Sequence, residues 1–223
     1  MSILYNIRQK YHSYILKRKF KKYGVSSLRV FSELALKNKW NYSLIFGTLL
    51  GAYREKNFIK NDDDIDIIVN RKDINLFLVE QMIANGFRLK AVYMSSDNEL
   101  AHVSFYYHGI TFDIYGFNVN YHGGDSVLFV PNPPKGMDWL QSAEKNYYQA
   151  CRVHFNYIGT ETILFQGVKC EILTNSKEFL SNIYGEDFMI PQKKKGFQSP
   201  FYEYVPLNEM TAGRVDLSKL TNG

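Results

Sequence analysis

Asn61-Asp62-Asp63-Asp64-Ile65-Asp66-Ile67-Ile68-Val69 passes from four polar residues into an apolar run that is interrupted once, by Asp66. Read as a strand, the alternation sets Asp62, Asp64 and Asp66 on one face and turns Ile65 and Ile67 into a core. Carboxylates about 7 Å apart along one face raise each other's pKa unless a cation lies between them. A hard divalent cation, Mg²⁺ or Mn²⁺, takes oxygen ligands and keeps positions for water and phosphate. The competing reading is a solvated acidic turn ahead of an ordinary edge strand.

Upstream, Tyr42 to Phe46 is a short apolar run ending at Gly47-Thr48, and Leu49, Leu50 and Ala52 continue at helical spacing. This predicts strand, tight turn, helix. A glycine at such a turn lets a ligand approach the backbone, and a helix start offers N–H groups to phosphate. Downstream, Ile110 to Phe117 carries Asp113 between core-type residues. A charge in so apolar a strand needs a partner. A shared metal beside the first cluster supplies one, and a salt bridge to a lysine is the alternative.

The remaining pattern mixes strands and helices without a repeating βα unit, which predicts an α+β domain with a mixed sheet flanked by helices. Residues 1–23 read as a basic helical lead-in, broken at Gly24 with Ser26 and Ser27 capping a helix to about Asn38. Asp73 is expected to cap a helix that stops at Asn85-Gly86. Strands are expected over Phe87 to Met94, Ala101 to Tyr107, Arg152 to Ile158 and Thr162 to Leu173, with turns at His108-Gly109 and Gln166-Gly167. Ser176 to Tyr184 reads as a helix. The domain is drawn over 24–190, with 191–223 an extended C-terminal tail.

With 223 residues and 45 % hydrophobic content, the chain supports one substantial core. Its net charge of +5 is local, in Lys17, Arg18, Lys19, Lys21 and Lys22 and again in Lys193 to Lys195. Such runs meet anionic lipid, nucleic acid or a phosphate-bearing substrate, or are simply solvated. Tyr11, Tyr14, Ile15, Leu16 and Phe20 among the N-terminal lysines allow a peripheral membrane contact. Neither a signal peptide nor a membrane span is legible, and Cys151 and Cys170 form no disulfide framework or zinc motif, so a cytoplasmic location is expected. His102, His108, His122 and His154 lack ligand spacing. Of these, His102 is the one that a neighbouring strand can bring near the carboxylates.

The stretch from Phe46-Gly47-Thr48-Leu49-Leu50-Gly51 through Arg54 to Asp62-Asp63-Asp64-Ile65-Asp66 resembles the signature of the LicD, or fukutin-related, family of nucleotidyltransferase-fold phosphotransferases. Phe112-Asp113-Ile114-Tyr115 and Ile183-Tyr184-Gly185-Glu186-Asp187-Phe188 resemble two later elements of that family. Lys60-Asn61 and Asn57 depart from its pattern, where many members have Pro-Trp and glycine.

The resemblance implies Mg²⁺- or Mn²⁺-dependent transfer of a substituted phosphate, phosphocholine-like or a polyol phosphate, from a CDP-linked alcohol to a sugar hydroxyl of a surface or lipid-linked glycan. Carried over by position, Asp64 and Asp66 are metal ligands and Asp62 an auxiliary one. Asp113 is a third ligand or the general base. Gly47 and Thr48 face the donor phosphates, Arg54 contacts the diphosphate, and Lys193 to Lys195 close over it or hold an anionic acceptor. Two rivals remain: a nucleotidyltransferase moving NMP from an NTP, and a non-catalytic basic module on membrane or nucleic acid. No nucleic-acid partner is expected on the family reading.

Overall fold

The computed structural model describes residues 3–60, 62–94, 100–121, 125–134, 136–137, 139–145, 147–191, 202–204 and 211–214. Helix α1 (Ile3–Asn38) runs without interruption, so the break expected at Gly24 does not occur. Ser26 and Ser27 do not cap. Their hydroxyls donate back to the carbonyls of Tyr23 and Gly24, each at 2.9 Å, as serines do inside a helix. A Cβ at Gly24 would stand 3.4 Å from the Phe58 ring, which meets Phe20 and Phe165 edge-on, each at 4.9 Å. The glycine thus sits in mid-helix beside two aromatic rings, with room for a methyl group.

The strands are β1 (Tyr42–Leu44), β2 (Asp64–Asn70), β3 (Arg88–Met94), β4 (Leu100–Tyr107), β5 (Ile110–Tyr121), β6 (Asp125–Asn132), β7 (Tyr148–Phe155), β8 (Thr160–Phe165), β9 (Val168–Leu173), β10 (Tyr202–Tyr204) and β11 (Thr211–Arg214). Among the described residues they form one mixed sheet, ordered β10-β7-β11-β3-β4-β5-β2-β1-β9-β8, with β6 paired to β5 and β7. Helices α2 (Phe46–Leu50), α3 (Leu76–Ala84), α4 (Trp139–Lys145) and α5 (Ser176–Tyr184) lie between them in sequence. The fold is α+β, as the element order predicts.

Phe112 is fully buried, 5.2 Å from Phe31 of α1 and 5.2 Å from Phe87. It shares its face of β5 with Ile114, and α1 covers that face. Over the opposite face, Phe46 of α2 meets Tyr115 edge-on at 5.8 Å and lies 6.1 Å from Phe179 of α5. The acidic residues emerge on that second face.

Two hairpins turn where expected, with positive φ at His108 and Gly109 and at Gln166 and Gly167. Other expectations need correction. Asn75, not Asp73, caps α3, accepting the Leu78 N–H at 3.1 Å, while Asp73 closes a short 3₁₀ turn, Arg71–Asp73. β6 and α4 occupy a segment that carried no clear pattern. Within the expected tail, β10 pairs with β7 and β11 with both β7 and β3. Lys193 to Lys195 lie outside the described residues. No helix among the described residues is long and apolar enough to cross a membrane.

Because Gly24 is helical and its would-be Cβ has an ordinary contact, Gly24→Ala should stabilise the protein by about 0.5–1 kcal/mol. Urea denaturation reads the change. A loss of stability would show that α1 does not pass through this position as a regular helix.

Candidate active site

Strands β2 and β5 pair in parallel, with Asp66 opposite Asp113 and Asp64 opposite Thr111. Strand parity places all three aspartates on the second face. One oxygen of each of Asp64, Asp66 and Asp113 lies within 4.8 Å of the others. Asp66 and Asp113 are 8 % and 9 % exposed, too buried for water to absorb their charge fully.

The turn before α2 is fastened to the middle of this cluster. The Ile45 N–H donates to the Asp66 carbonyl at 3.1 Å, and the Asp66 N–H donates to Thr48 Oγ1 at 3.0 Å. Thr48 is fully buried. Its hydroxyl therefore holds β2, where the sequence reading expects it to face donor phosphates. Phe46 has φ 46°, a conformation costly for a large side chain, and its ring contacts with Tyr115 and Phe179 help to hold it.

Two glycines admit the loop that returns to β2. A Cβ at Gly51 would lie 2.6 Å from the Asn57 carbonyl oxygen, and one at Gly47 would lie 2.9 Å from both carboxylate oxygens of Asp62. Gly47 thus stands directly beside an acidic residue.

Asp62 does not belong to the β2 ladder. The strand begins at Asp64, and the Asp62 N–H closes a turn onto the Ile59 carbonyl at 2.9 Å. That turn sets its carboxylate against Gly47 and within hydrogen-bond reach of Asp64, and its charge is felt at Asp66. Arg54, expected to meet the diphosphate, has its own protein partners. It donates through NH1 to the Phe188 carbonyl at 2.9 Å and pairs through NH2 with Glu55 at 2.7 Å. These contacts tie the segment after α5 to the turn after α2.

The electrostatics separate the three aspartates. Burial first, then the charges of Asp113 and Asp63, push the Asp64 carboxyl up to about 6. Burial and the charges of Asp64, Asp113 and Asp62 drive Asp66 well above the usual carboxylate range. Burial would raise Asp113 as well, but the hydrogen bond from His102 outweighs it, together with the positive charges of His102 when protonated and of Lys90. Asp113 is held below its ordinary value.

Three converging oxygen donors, two of them destabilised as anions by their neighbours, fit a hard divalent cation of the Mg²⁺ or Mn²⁺ kind. Asp64, Asp66 and Asp113 are the residues that could hold it.

A family model described as LicD/FKTN/FKRP, nucleotidyltransferase domain, matches residues 39–171. The chain belongs to the LicD/FKTN/FKRP family. The matched region carries the α2 turn and all three aspartates. A segment of 51 residues is 45 % identical to the lipopolysaccharide cholinephosphotransferase LicD of Haemophilus influenzae, covering 23 % of this chain and 19 % of that protein. The match therefore spans about a fifth of that relative's length. Among solved structures, the lincosamide antibiotic adenylyltransferase LnuA with lincomycin bound aligns over 74 % of this chain and 92 % of that one, at 14 % identity and a TM-score of 0.44.

Sequence reasoning did not find several neighbours of the LicD-family site. Lys90 sits at a register shift between Leu89 and Ala91, an irregularity that re-aims side chains, and donates to Thr111 Oγ1 at 3.4 Å. The Tyr115 hydroxyl points at Asp66 Oδ1 from 3.5 Å. Burial and the charges of Asp66, Asp62 and Asp64 raise the Tyr184 hydroxyl well above its ordinary value, so this side chain also faces the acids. The Tyr184-Gly185 element was legible in the sequence, and the bulge at Lys90 was not.

The raised Asp64 pKa has a definite sign in stability. The native state holds the Asp64 proton more tightly than the unfolded chain, so metal-free stability falls as pH rises from the ordinary 3.8 through about 6. Asp113 acts oppositely, adding stability above the ordinary 3.8 that is lost in acid. In EDTA, Asp64→Asn should gain roughly 1–3 kcal/mol over the wild type between about pH 4 and about pH 7.5. Urea titrations at the two pH values measure the gain. A difference that does not vary with pH would show that Asp64 carries no such penalty.

Proposed function

We propose that this chain transfers a substituted phosphate from a CDP-linked alcohol to a sugar hydroxyl of a surface or lipid-linked glycan. The group transferred is of the phosphocholine or polyol-phosphate kind. The observation that carries this reading is the convergence of Asp64, Asp66 and Asp113 within 4.8 Å, inside the region that matches the LicD family. The activity for which the Haemophilus influenzae relative is named favours choline as the donor alcohol and lipopolysaccharide as the kind of acceptor.

When bound, a divalent cation supplies neutralisation of the donor's diphosphate charge. The chain supplies position. Asp64 and Asp66 would hold the cation at the start of β2, and Gly47, with the Asp62 carboxylate seated against it, brings the α2 turn beside them. Asp113 stands where it can complete the ligand set or receive the acceptor's proton. Lys90, beside Thr111, adds a positive charge at the rim of the acids, suited to an anionic donor. The leaving group is CMP. Lys193 to Lys195, which follow the Tyr184-Gly185 element, are candidates to hold the donor or an anionic acceptor.

A glycan acceptor on a lipid carrier would be met at a membrane surface, and the outer face of α1 suits that encounter. Tyr11 and Tyr14 are 66 % and 57 % exposed, and Lys17, Arg18, Lys21 and Lys22 are exposed along the same stretch. Aromatic and basic side chains together favour an anionic lipid interface. This reading places the protein peripherally at the inner face of the membrane. Co-sedimentation with phosphatidylserine vesicles should be measurable at low salt and fall steeply as salt rises. Absence of low-salt binding would remove the membrane contact.

Asp64→Asn and Asp66→Asn should each lower CMP release from CDP-choline, CDP-ethanolamine, CDP-glycerol or CDP-ribitol by about 100-fold or more, with circular dichroism unchanged. Full activity of either variant with Mg²⁺ would sink the assignment. Pyrophosphate release from an NTP, without CMP release from any CDP-alcohol, would identify nucleotidyl transfer instead.

A further inference from the structure

Tyr93, His102 and Tyr115 occupy one row across three strands: Tyr93 pairs with His102 across β3 and β4, and His102 with Tyr115 across β4 and β5. Their rings are stacked. The imidazole lies 5.0 Å from the Tyr93 ring at 5° and 4.3 Å from the Tyr115 ring at 13°. Tyr148 meets the Tyr93 ring edge-on at 5.1 Å. His102 is 5 % exposed, so its plane is set by the two phenols and little else can turn it.

Two residues further along β4, Ser104 stands opposite Asp113. His102 is therefore a diagonal neighbour of Asp113, within reach for a long side chain. Its Nε2 lies 3.1 Å from Asp113 Oδ1. An ionised carboxylate can only accept, so Nε2 carries the proton of this bond. Nδ1 is buried and makes no hydrogen bond. The imidazole thus has a single polar attachment, and that attachment is an oxygen of the third aspartate.

We propose that His102 is a positioning residue for the LicD-type site. By occupying Asp113 Oδ1 it stops the carboxylate from rotating and leaves Oδ2 as the oxygen available to a cation shared with Asp64 and Asp66. It also favours Asp113 as a ligand over a general base, because a carboxylate already sharing its charge with a hydrogen-bond donor and a cation is a weaker proton acceptor. His102 itself is walled off by Tyr93 and Tyr115 and acts only through Asp113. The proposal rests on the reading that the three aspartates hold a divalent cation. A purely structural histidine would tie β4 to β5 and leave cation affinity untouched.

The test compares the full-length wild type with His102→Phe and His102→Gln. Phenylalanine keeps a ring between the two tyrosines without the N–H, and the glutamine amide returns a donor near the Nε2 position. Mn²⁺ affinity is read from the electron paramagnetic resonance of the free ion, with no nucleotide present. His102→Phe should bind Mn²⁺ about 10- to 100-fold more weakly, and His102→Gln should recover most of that loss. In turnover, kcat should fall in His102→Phe while KM for the CDP donor stays near the wild-type value.

Should His102→Phe fail to fold, His102→Asn, whose amide is too short to reach Oδ1, replaces it in the comparison. Mn²⁺ affinity of the donor-less variant within about twofold of wild type, or equal weakness of the glutamine variant, overturns the proposal and leaves the metal reading standing. A wild type that takes up no Mn²⁺ overturns both.

Discussion

The parallel pairing of β2 with β5 is the constraint around which the site is arranged. It sets Asp66 opposite Asp113 and brings Asp64 within reach of both. Three carboxylates so placed repel one another where water is too scarce to screen them. The register that imposes this is held from the other side, where Ile65, Ile67, Phe112 and Ile114 are all fully buried. A slip by one residue would turn the isoleucines out and the aspartates in, so hydrophobic burial enforces an electrostatically unfavourable arrangement.

The surrounding residues answer that repulsion unequally. Asp113 has His102 and Lys90 to offset its burial, while Asp64 is dominated by desolvation and the charges of Asp113 and Asp63, and Asp66 by desolvation and the charges of Asp64, Asp113 and Asp62. Two acids are therefore left wanting a cation and one is already prepared as an anion. Such a group of oxygen donors could hold a hard divalent cation. Backbone contacts keep the acids in place without adding charge: Ile45 and Thr48 engage both peptide groups of Asp66.

Segments distant in sequence close the site. The two glycines that flank Thr48-Leu49-Leu50 let the 57–62 loop lie against α2. Arg54 reaches Phe188, 134 residues away, and so draws the Tyr184 segment toward the acids. The sheet extends on the other side of β5 through β4 and β3, which bring His102 and Lys90.

Residues i and i+2 of a strand share a face whatever the strand packs against, so the sequence by itself determined that Asp64 and Asp66 act together. It likewise determined the two hairpins, whose turns demand residues tolerant of positive φ, and α5, whose apolar spacing and terminal Gly185 are local. Tertiary structure decided the rest, because it depends on which strands become neighbours. Gly24 reads as a helix stop until α1 is seen to run through it, and the tie from Arg54 to the Phe188 carbonyl has no local signal. β6, β10 and β11 are paired by partners, not by strong local pattern. The partner that sets Asp113 apart from the other two acids comes from β4, in a register that no local spacing encodes.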